Sequence, residues 1–224
     1  PMSLLALAWR YLWARPLVAV LNLALLALGV GAMSFVVIVG EQVERSVQRD
    51  LAGIDLVVGA KGSPMQLILA GVFHIDVPSG NIPLAAVKTV REHPLVERVV
   101  PMSLGDSLKG YRIVGTTLQY PALYGAQLAE GAYWVPQGDG LPSPPSKGSE
   151  SPRQRPVGDS ADKLQAVLGA DVARDTGLAV GERFVGTHGL GATGEAHGDT
   201  PYRVTGRLAR CGCVLDRLVL TDLQ

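Results

Sequence analysis

Residues 16–40 read PLVAVLNLALLALGVGAMSFVVIVG, and this run of 25 residues contains no charged side chain. As an α-helix it extends about 37 Å, which is enough to cross a hydrocarbon layer of about 30 Å with some tilt. The run therefore predicts one membrane-spanning helix near the N-terminus of the 224-residue chain.

The residues on either side of this run indicate its orientation. Arg10 and Arg15 precede the run, whereas Glu41 and Glu44 follow it. Aromatic residues suited to a membrane interface also precede it, namely Trp9, Tyr11 and Trp13. Because basic residues favour the cytoplasmic side, we expect residues 1–15 to be cytoplasmic and everything after Gly40 to lie outside.

Two other interpretations of the run fit its length less well. A cleaved signal peptide would use 17–28 as its apolar core and 29–32 as its cleavage region, but the apolar run continues through 35–39, which such a peptide does not need. A buried core helix rarely exceeds 20 residues without a charge. The spanning helix is the preferred interpretation.

The composition excludes one large class of partner and favours many short elements. Twenty basic residues balance twenty acidic ones, so the chain lacks the positive charge with which proteins bind nucleic acid. Gly and Pro number 27 and 15, and aromatic residues make up only 5%. These values are typical of a domain with many turns rather than of a long helical bundle.

The apolar pattern changes after Gly40. Val43, Val47, Leu51 and Ile54 are spaced by four, four and three, with charged and polar residues between them. This spacing predicts that the helix continues beyond the membrane as an amphipathic stalk.

Beyond the stalk, the pattern alternates between short strands and short helices. It predicts helices over 65–70 and 83–93 and strands over 54–60, 96–102 and 111–117. Residues 136–162 are rich in Gly, Pro and Ser without apolar periodicity, and are predicted to be a flexible loop.

The region after this loop, 163–224, is predicted to hold the second part of the same domain. Its predicted elements are a strand over 166–168, a helix over 171–176 that ends at Gly177, and strands over 183–187, 202–209 and 215–221. The chain is thus predicted to be α+β, with an N-terminal transmembrane helix and stalk, then a bilobed mixed-sheet core domain whose first part lies within 41–135.

Several segments of the chain resemble the MacB/FtsX-like family of ABC transporter permeases. They are RYLWARP before the apolar run, IDLVVGAKGSPMQLIL, YRIVGTT, AVLGADVARDTGLAVGERF, YRVTGRLA and VLDRLVLTDL. The resemblance implies one N-terminal transmembrane helix, a periplasmic core of two lobes and three later membrane helices. The sequence holds the first helix and the core without the later helices, so we expect a truncated product, a gene fragment or a split subunit.

The resemblance also implies partners and a mechanism. A cytoplasmic ABC ATPase subunit would drive the chain, a second permease subunit would pair with it in the bilayer, and motion would pass through the stalk to the periplasmic side of the bacterial inner membrane. Val43, Val47, Leu51 and Ile54 would then be stalk contacts, although they would equally serve to pack against their own domain. The alternative function is a membrane-anchored periplasmic binding or adaptor domain that senses a ligand or a metal, with zinc as the candidate metal.

Sequence motifs for enzymatic chemistry are missing. GAKGSP places a Lys between glycines but lacks the spacing and the Ser or Thr of a phosphate-binding loop. No Gly-X-Ser-X-Gly motif is present. We therefore expect no enzyme, no catalytic residue and no cofactor, and a separate protein must hydrolyse ATP.

One stretch carries residue types that bind zinc. The candidates are His188, His197, Cys211 and Cys213, with Glu195 and Asp199 nearby. Their spacing matches no known zinc module, and a solvated Gly-rich loop explains the histidines equally well. Cys211 and Cys213 are two residues apart, where a disulfide is strained, yet in an oxidising compartment they are able to pair with each other or to bridge two chains.

Overall fold

The computed structural model describes residues 9–10, 13–51, 53–136, 164–188 and 201–223. The chain divides into two compact units, Pro1–Gln48 and Arg49–Gln224. The predicted loop over 136–162 lies outside the described residues except for Pro136. His197 also lies outside them.

A single long helix dominates the first unit. Helix α1 (Pro16–Asp50) has 35 residues and begins at a proline, which has no N–H to leave unpaired in a first turn. Its most apolar stretch has a mean hydropathy of 2.5 and is not covered by other described residues. By length and composition it is the one helix of the described chain able to cross a membrane.

The predicted continuation of the helix beyond Gly40 is confirmed, because α1 ends ten residues later at Asp50. The predicted stripe of apolar residues, which ends at Ile54, extends beyond the end of this helix. Leu51 and Ile54 lie in the turn that follows, where Gly53 has a φ of +76° and the N–H of Ile54 donates to the Leu51 carbonyl. We name residues 41–50 the stalk, and Arg49 with Asp50 the stalk end.

Two short helices follow, as predicted. Helix α2 (Pro64–Gly71) has its proline in the first turn, and helix α3 (Leu84–Arg91) follows Pro83. Pro and the extended residue before it favour a helix start at both places.

The predicted strand over 54–60 is wrong, since these residues have no regular secondary structure and no sheet partner among the described residues. The run packs through side chains instead, with Val57 against Gly71 and Gly59 against Leu67. An apolar run of this length forms a strand only where a neighbour offers a hydrogen-bonding edge.

The predicted strand over 96–102 is also wrong in its bounds. Strand β1 (Met102–Leu108) begins after Pro101, which has no N–H, and its polar residues were not predicted to be extended. Strand β2 (Tyr111–Thr116) is confirmed as predicted. Lys109 and Gly110 join the two strands with φ values of +49° and +87°, which suits a two-residue hairpin turn.

The remaining elements complete one mixed sheet. They are α4 (Gln119–Leu123), β3 (Leu128–Gly131), β4 (Leu164–Leu168), α5 (Ala170–Thr176), β5 (Arg183–Phe184), β6 (Thr187–His188), β7 (Tyr202–Leu208), a 3-10 turn (Val214–Arg217) and β8 (Leu218–Asp222). The predicted helix over 171–176 and its end at Gly177, which has a φ of +72°, are confirmed.

Two of the predicted strands differ in detail. Residues 183–187 form two short strands rather than one, because β5 pairs with β7 whereas β6 pairs with β1. Residues 215–217 belong to the 3-10 turn, so that the predicted strand begins only at Leu218.

The eight described strands follow the order β3-β7-β4-β8-β2-β1-β6, with β5 beside β7. β8 runs parallel to β2 and antiparallel to β4, and β4 runs parallel to β7. The predicted fold class, α+β with a long N-terminal helix and a mixed sheet, is therefore confirmed.

Alternate residues of the central strands supply two cores, one on each face of the sheet. Ile113, Leu168 and Val219 pack on one face with α5, whereas Val114 and Leu220 pack on the other with the buried Trp134. The two-residue period of a strand explains this division.

Candidate functional site

Asp50 belongs to the second unit, Arg49–Gln224, which we name the core unit, and it is hydrogen-bonded to two other segments of that unit. The Asp50 carboxylate accepts the backbone N–H of Val214 at 2.8 Å, and the Asp50 carbonyl accepts the Tyr124 hydroxyl at 2.8 Å. Asp50 is only 6% exposed, although it lies at the end of a helix whose other described residues are mostly exposed. Because burying a carboxylate is costly unless it is hydrogen-bonded, the bonds of Asp50 indicate a specific contact.

Opposing influences act on the charge of Asp50. Burial raises the pKa of its carboxyl, and the Val214 N–H and the positive charges of Arg217 and Arg49 oppose that rise. Those donors and charges are therefore part of what keeps the contact intact near neutral pH.

The segment that receives Asp50 is a tight turn, residues 211–214, which we name the cystine turn. Cys211 and Cys213 form a disulfide with their Cα atoms 5.2 Å apart. The Asp216 carboxylate accepts the N–H groups of Cys211 at 3.0 Å and of Gly212 at 2.7 Å. Gly212 has a φ of +67°, so this position favours glycine.

Arg49 lies against the same turn. A Cβ atom at Gly212 would be 2.9 Å from the Arg49 Nη1 atom. The two residues of the stalk end thus meet the cystine turn together, Arg49 over its middle and Asp50 at its end.

A chain of buried polar side chains leads from the stalk end toward α2. Tyr124, which holds the Asp50 carbonyl, lies edge-to-face with Tyr120 at a ring separation of 5.6 Å. The Tyr120 hydroxyl is 2.8 Å from His74 Nε2, in the loop after α2. Burial raises the pKa of Tyr120 well above its usual value, so its hydroxyl keeps its proton.

The imidazole of His74 is neutral near neutral pH. Burial, and then the positive charge of Arg112, lower its pKa to about 4. Arg112 is itself buried, and its Nη2 donates to the Asp76 carbonyl at 2.9 Å. His74 and Arg112 together fix the loop after α2 to the tyrosines and to β2.

A cavity of about 740 Å³ lies between segment 56–60, α2, α3 and the start of β1. Its lining is mainly aliphatic, and it includes Leu56, Leu67, Leu84, Val87, Val100 and Leu104. Arg98 and Asp222 also line it and carry its charges. The volume falls within the range of ligand pockets, so the cavity has the size and the apolar character to hold a small apolar group.

The structure describes only two of the four predicted metal ligands in full, Cys211 and Cys213. Cys211 and Cys213 are joined in the disulfide, a form in which neither sulfur is the thiolate that zinc prefers. His188 ends β6, where its backbone pairs with Asp106, and its side chain is outside the described residues, as are His197, Glu195 and Asp199. Within the described part of the chain, no group of three or more His, Cys, Asp or Glu is placed to hold a metal. Zinc binding by His188, His197, Cys211 and Cys213 stays a prediction.

Of the predicted stalk contacts, Leu51 directly follows Asp50, Val43 and Val47 lie earlier on α1, and the half-buried Ile54 lies in the turn after the helix. Val43 and Val47 are exposed on α1, and Leu51 follows the stalk end. Sequence reasoning missed Asp50 because a single acidic residue on a helix gives no sign of a partner 164 positions away. The spacing of four between Tyr120 and Tyr124 was a usable signal for a shared helix face.

Comparison with known proteins agrees with this architecture. The sequence model of the family described as MacB-like periplasmic core domain matches residues 19–221. No curated protein matches the chain significantly. The matched family belongs to permease-type proteins of ABC transporters and is not itself a class of enzymes, and the apolar helix α1 indicates a membrane anchor. The resemblance drawn from the sequence is confirmed, and the chain belongs to the MacB-like periplasmic core domain family.

Proposed function

We propose that this chain is a permease-type subunit that transmits ATP-driven motion from a cytoplasmic ATPase to its periplasmic domain. The observation that carries the proposal is the attachment of Asp50, which ends α1 and is held by both its carboxylate and its carbonyl. An α-helix is stiff along its axis because each turn is hydrogen-bonded to the next. Movement of α1 would therefore act directly on these two bonds.

The two bonds lead to the centre of the core unit. Val214 begins the 3-10 turn that enters β8, and β8 lies between β4 and β2. Tyr124 follows α4 and packs on the buried Tyr120. A displacement of the stalk end would thus reach the middle of the sheet and the loop after α2.

The proposal includes a topology and two protein partners. Residues 1–15 lie in the cytoplasm and the core unit lies in the periplasm, as Arg10 and Arg15 before the apolar run favour. An ABC ATPase subunit and a second permease subunit act with the chain in the bacterial inner membrane. The work is done on an envelope substrate at the periplasmic side.

Purification from the native membrane tests the partner. We expect an ATP-binding subunit to accompany the full chain when it is extracted in mild detergent. Extraction of the folded chain without any ATP-binding protein would overturn the proposal.

Hydrogen exchange in the reconstituted complex tests the transmission. We expect exchange at residues 211–216 to differ between the nucleotide-free complex and the complex trapped with ATP and vanadate. Asp50→Asn should reduce that difference, whereas Asp55→Asn, the same change at an exposed residue, should not. Equal exchange in the two nucleotide states would contradict transmission through the stalk end.

The cavity of about 740 Å³ favours a second candidate, a membrane-anchored binding domain that needs no ATPase. An alkyl diazirine probe should then label residues 56–60 and 84–90 of the chain in nanodiscs. Val87→Phe fills the cavity and should reduce that labelling, while Val135→Phe, outside the lining, should leave it unchanged. Labelling of the cavity in a chain that brings down no ATPase would favour this candidate.

A further inference from the structure

The Cys211–Cys213 disulfide closes a very short ring, with Gly212 as the only residue between its two ends. The stabilising effect of a disulfide on the whole fold increases with the length of the loop that it closes. A ring this short therefore restrains little of the unfolded chain. Its effect is confined to the turn that contains it.

That turn is the part of the core unit that holds the stalk end. The disulfide fixes the backbone on both sides of Gly212, and Asp216 binds the N–H groups of Cys211 and Gly212. The next N–H along the chain after Cys213 belongs to Val214, and it donates to the Asp50 carboxylate. The direction of the Val214 N–H thus depends on a conformation that the disulfide closes covalently.

The disulfide lies in a partly exposed turn. Cys211 and Cys213 are both half-buried at the edge of a core cluster, and Arg210 and Gly212 beside them are exposed. Arg49 lies against Gly212, and a nearby guanidinium favours the thiolate forms that exchange requires. The carboxylates of Asp50 and Asp216 face the same turn, and their negative charges disfavour the thiolate forms.

We propose that Cys211–Cys213 is a thiol–disulfide exchange site whose redox state sets how firmly the stalk end is held. A thiolate of a dithiol donor attacks one Sγ atom, the S–S bond breaks, and the other cysteine leaves as a thiolate. The second donor thiol then resolves the mixed disulfide, so that the donor becomes a disulfide. Two electrons and two protons pass to the cysteine pair. The opened turn holds the Val214 N–H less firmly against Asp50.

Alkylation of the native protein tests the exchange. The full chain in detergent is treated with dithiothreitol and then iodoacetamide without denaturant, and its peptides are analysed by mass spectrometry. We expect both cysteines to be labelled after dithiothreitol and neither to be labelled before it. Labelling before reduction, or labelling that appears only in denaturant, would overturn the proposal.

Hydrogen exchange tests the consequence for the stalk end. We expect reduction to speed exchange of the Val214 amide by about ten-fold, because the amide opens locally more often. The Ala173 amide, which donates to the Gly169 carbonyl in α5, serves as an internal control and should not change. Reduction that leaves exchange at Val214 unchanged would show that the turn does not need the disulfide.

Two variants separate this inference from the proposed function. The Cys211→Ser/Cys213→Ser protein should show fast Val214 exchange whether or not dithiothreitol is present. Asp50→Asn weakens the acceptor, and so it should speed Val214 exchange in both redox forms while leaving alkylation intact. These measurements need no ATPase. The redox inference is therefore tested even if the chain proves not to be a transporter subunit, and failure of the redox inference would leave the transporter proposal unaffected.

Discussion

His74 Nε2 lies 2.8 Å from the hydroxyl of Tyr120, and both side chains are almost fully buried. Because the pKa of His74 is lowered to about 4, this pair joins two neutral groups over most of the pH range. The pair connects the loop after α2 to the tyrosines that hold the stalk end.

The buried histidine makes stability depend on pH. The unfolded chain binds a proton at His74 below about pH 6.5, whereas the folded chain does so only near pH 4. The contribution of His74 to stability is therefore fully present above about pH 6.5, and it decreases by about 1.4 kcal/mol for each pH unit as the pH falls from there toward 4. Chemical unfolding of the full chain from pH 7 to pH 4 measures the slope. His74→Gln should remove this part of the slope, and His93→Gln, at an exposed position, should keep it.

Removing the Tyr120 hydroxyl should destabilise the core unit. Tyr120→Phe leaves His74 Nε2 without its partner in a buried place, which costs about 1–3 kcal/mol. Tyr133→Phe loses a longer bond of 3.3 Å to the Ala126 carbonyl from a half-buried side chain and should cost less. Equal losses in thermal unfolding of the two variants would argue against the importance of the histidine pair.

The Asp50 carboxylate should matter for stability as well as for transmission. Asp50→Ala leaves the Val214 N–H without an acceptor, at a cost of about 1–3 kcal/mol. Asp50→Asn keeps an acceptor oxygen and should cost less. Denaturant unfolding of both variants, with Asp55→Ala as the exposed control, checks this order. Equal losses in the two variants, which both lack the charge, would mean that the charge matters more than the hydrogen bond.

Gly169 should resist substitution because of a close approach. A Cβ there would overlap the backbone carbonyl oxygens of Leu215 and Asp216, at the junction between β4 and α5. Gly169→Ala should therefore lower stability by about 1–3 kcal/mol or more. Gly105→Ala adds a methyl group where no atom lies within 4 Å, and it should change stability little. Thermal unfolding of the two variants makes the comparison, and similar melting temperatures would contradict the observed packing.

Local patterns were sufficient to predict the elements that do not depend on distant neighbours. The charge-free run identifies α1, a proline starts α2, and Gly177 ends α5. The residues of 54–60 look like a strand by composition, but whether they form one depends on an available sheet edge. β1 was not predicted because its residues are largely polar, and they form a strand by pairing with β2 and β6.

The candidate site was harder to predict than the fold. Its defining bond joins Asp50 to Val214, and no periodicity within either segment reports on the other. The cysteines were noticed from their types alone, and their pairing with each other was one of two possibilities. Their position beside the stalk end follows from the three-dimensional fold.

The central place of β8 has a consequence for biosynthesis. β8 follows every other described strand in the chain, yet it separates β2 from β4 in the sheet. The β1–β2 hairpin is therefore synthesised before its neighbour β8, and this edge of β2 stays open until β8, the last of the described strands, has formed. Such sequence-distant pairing slows folding and leaves an exposed edge prone to aggregation. A holding chaperone should thus bind nascent chains that stop before Leu218 more strongly than chains that extend past Asp222.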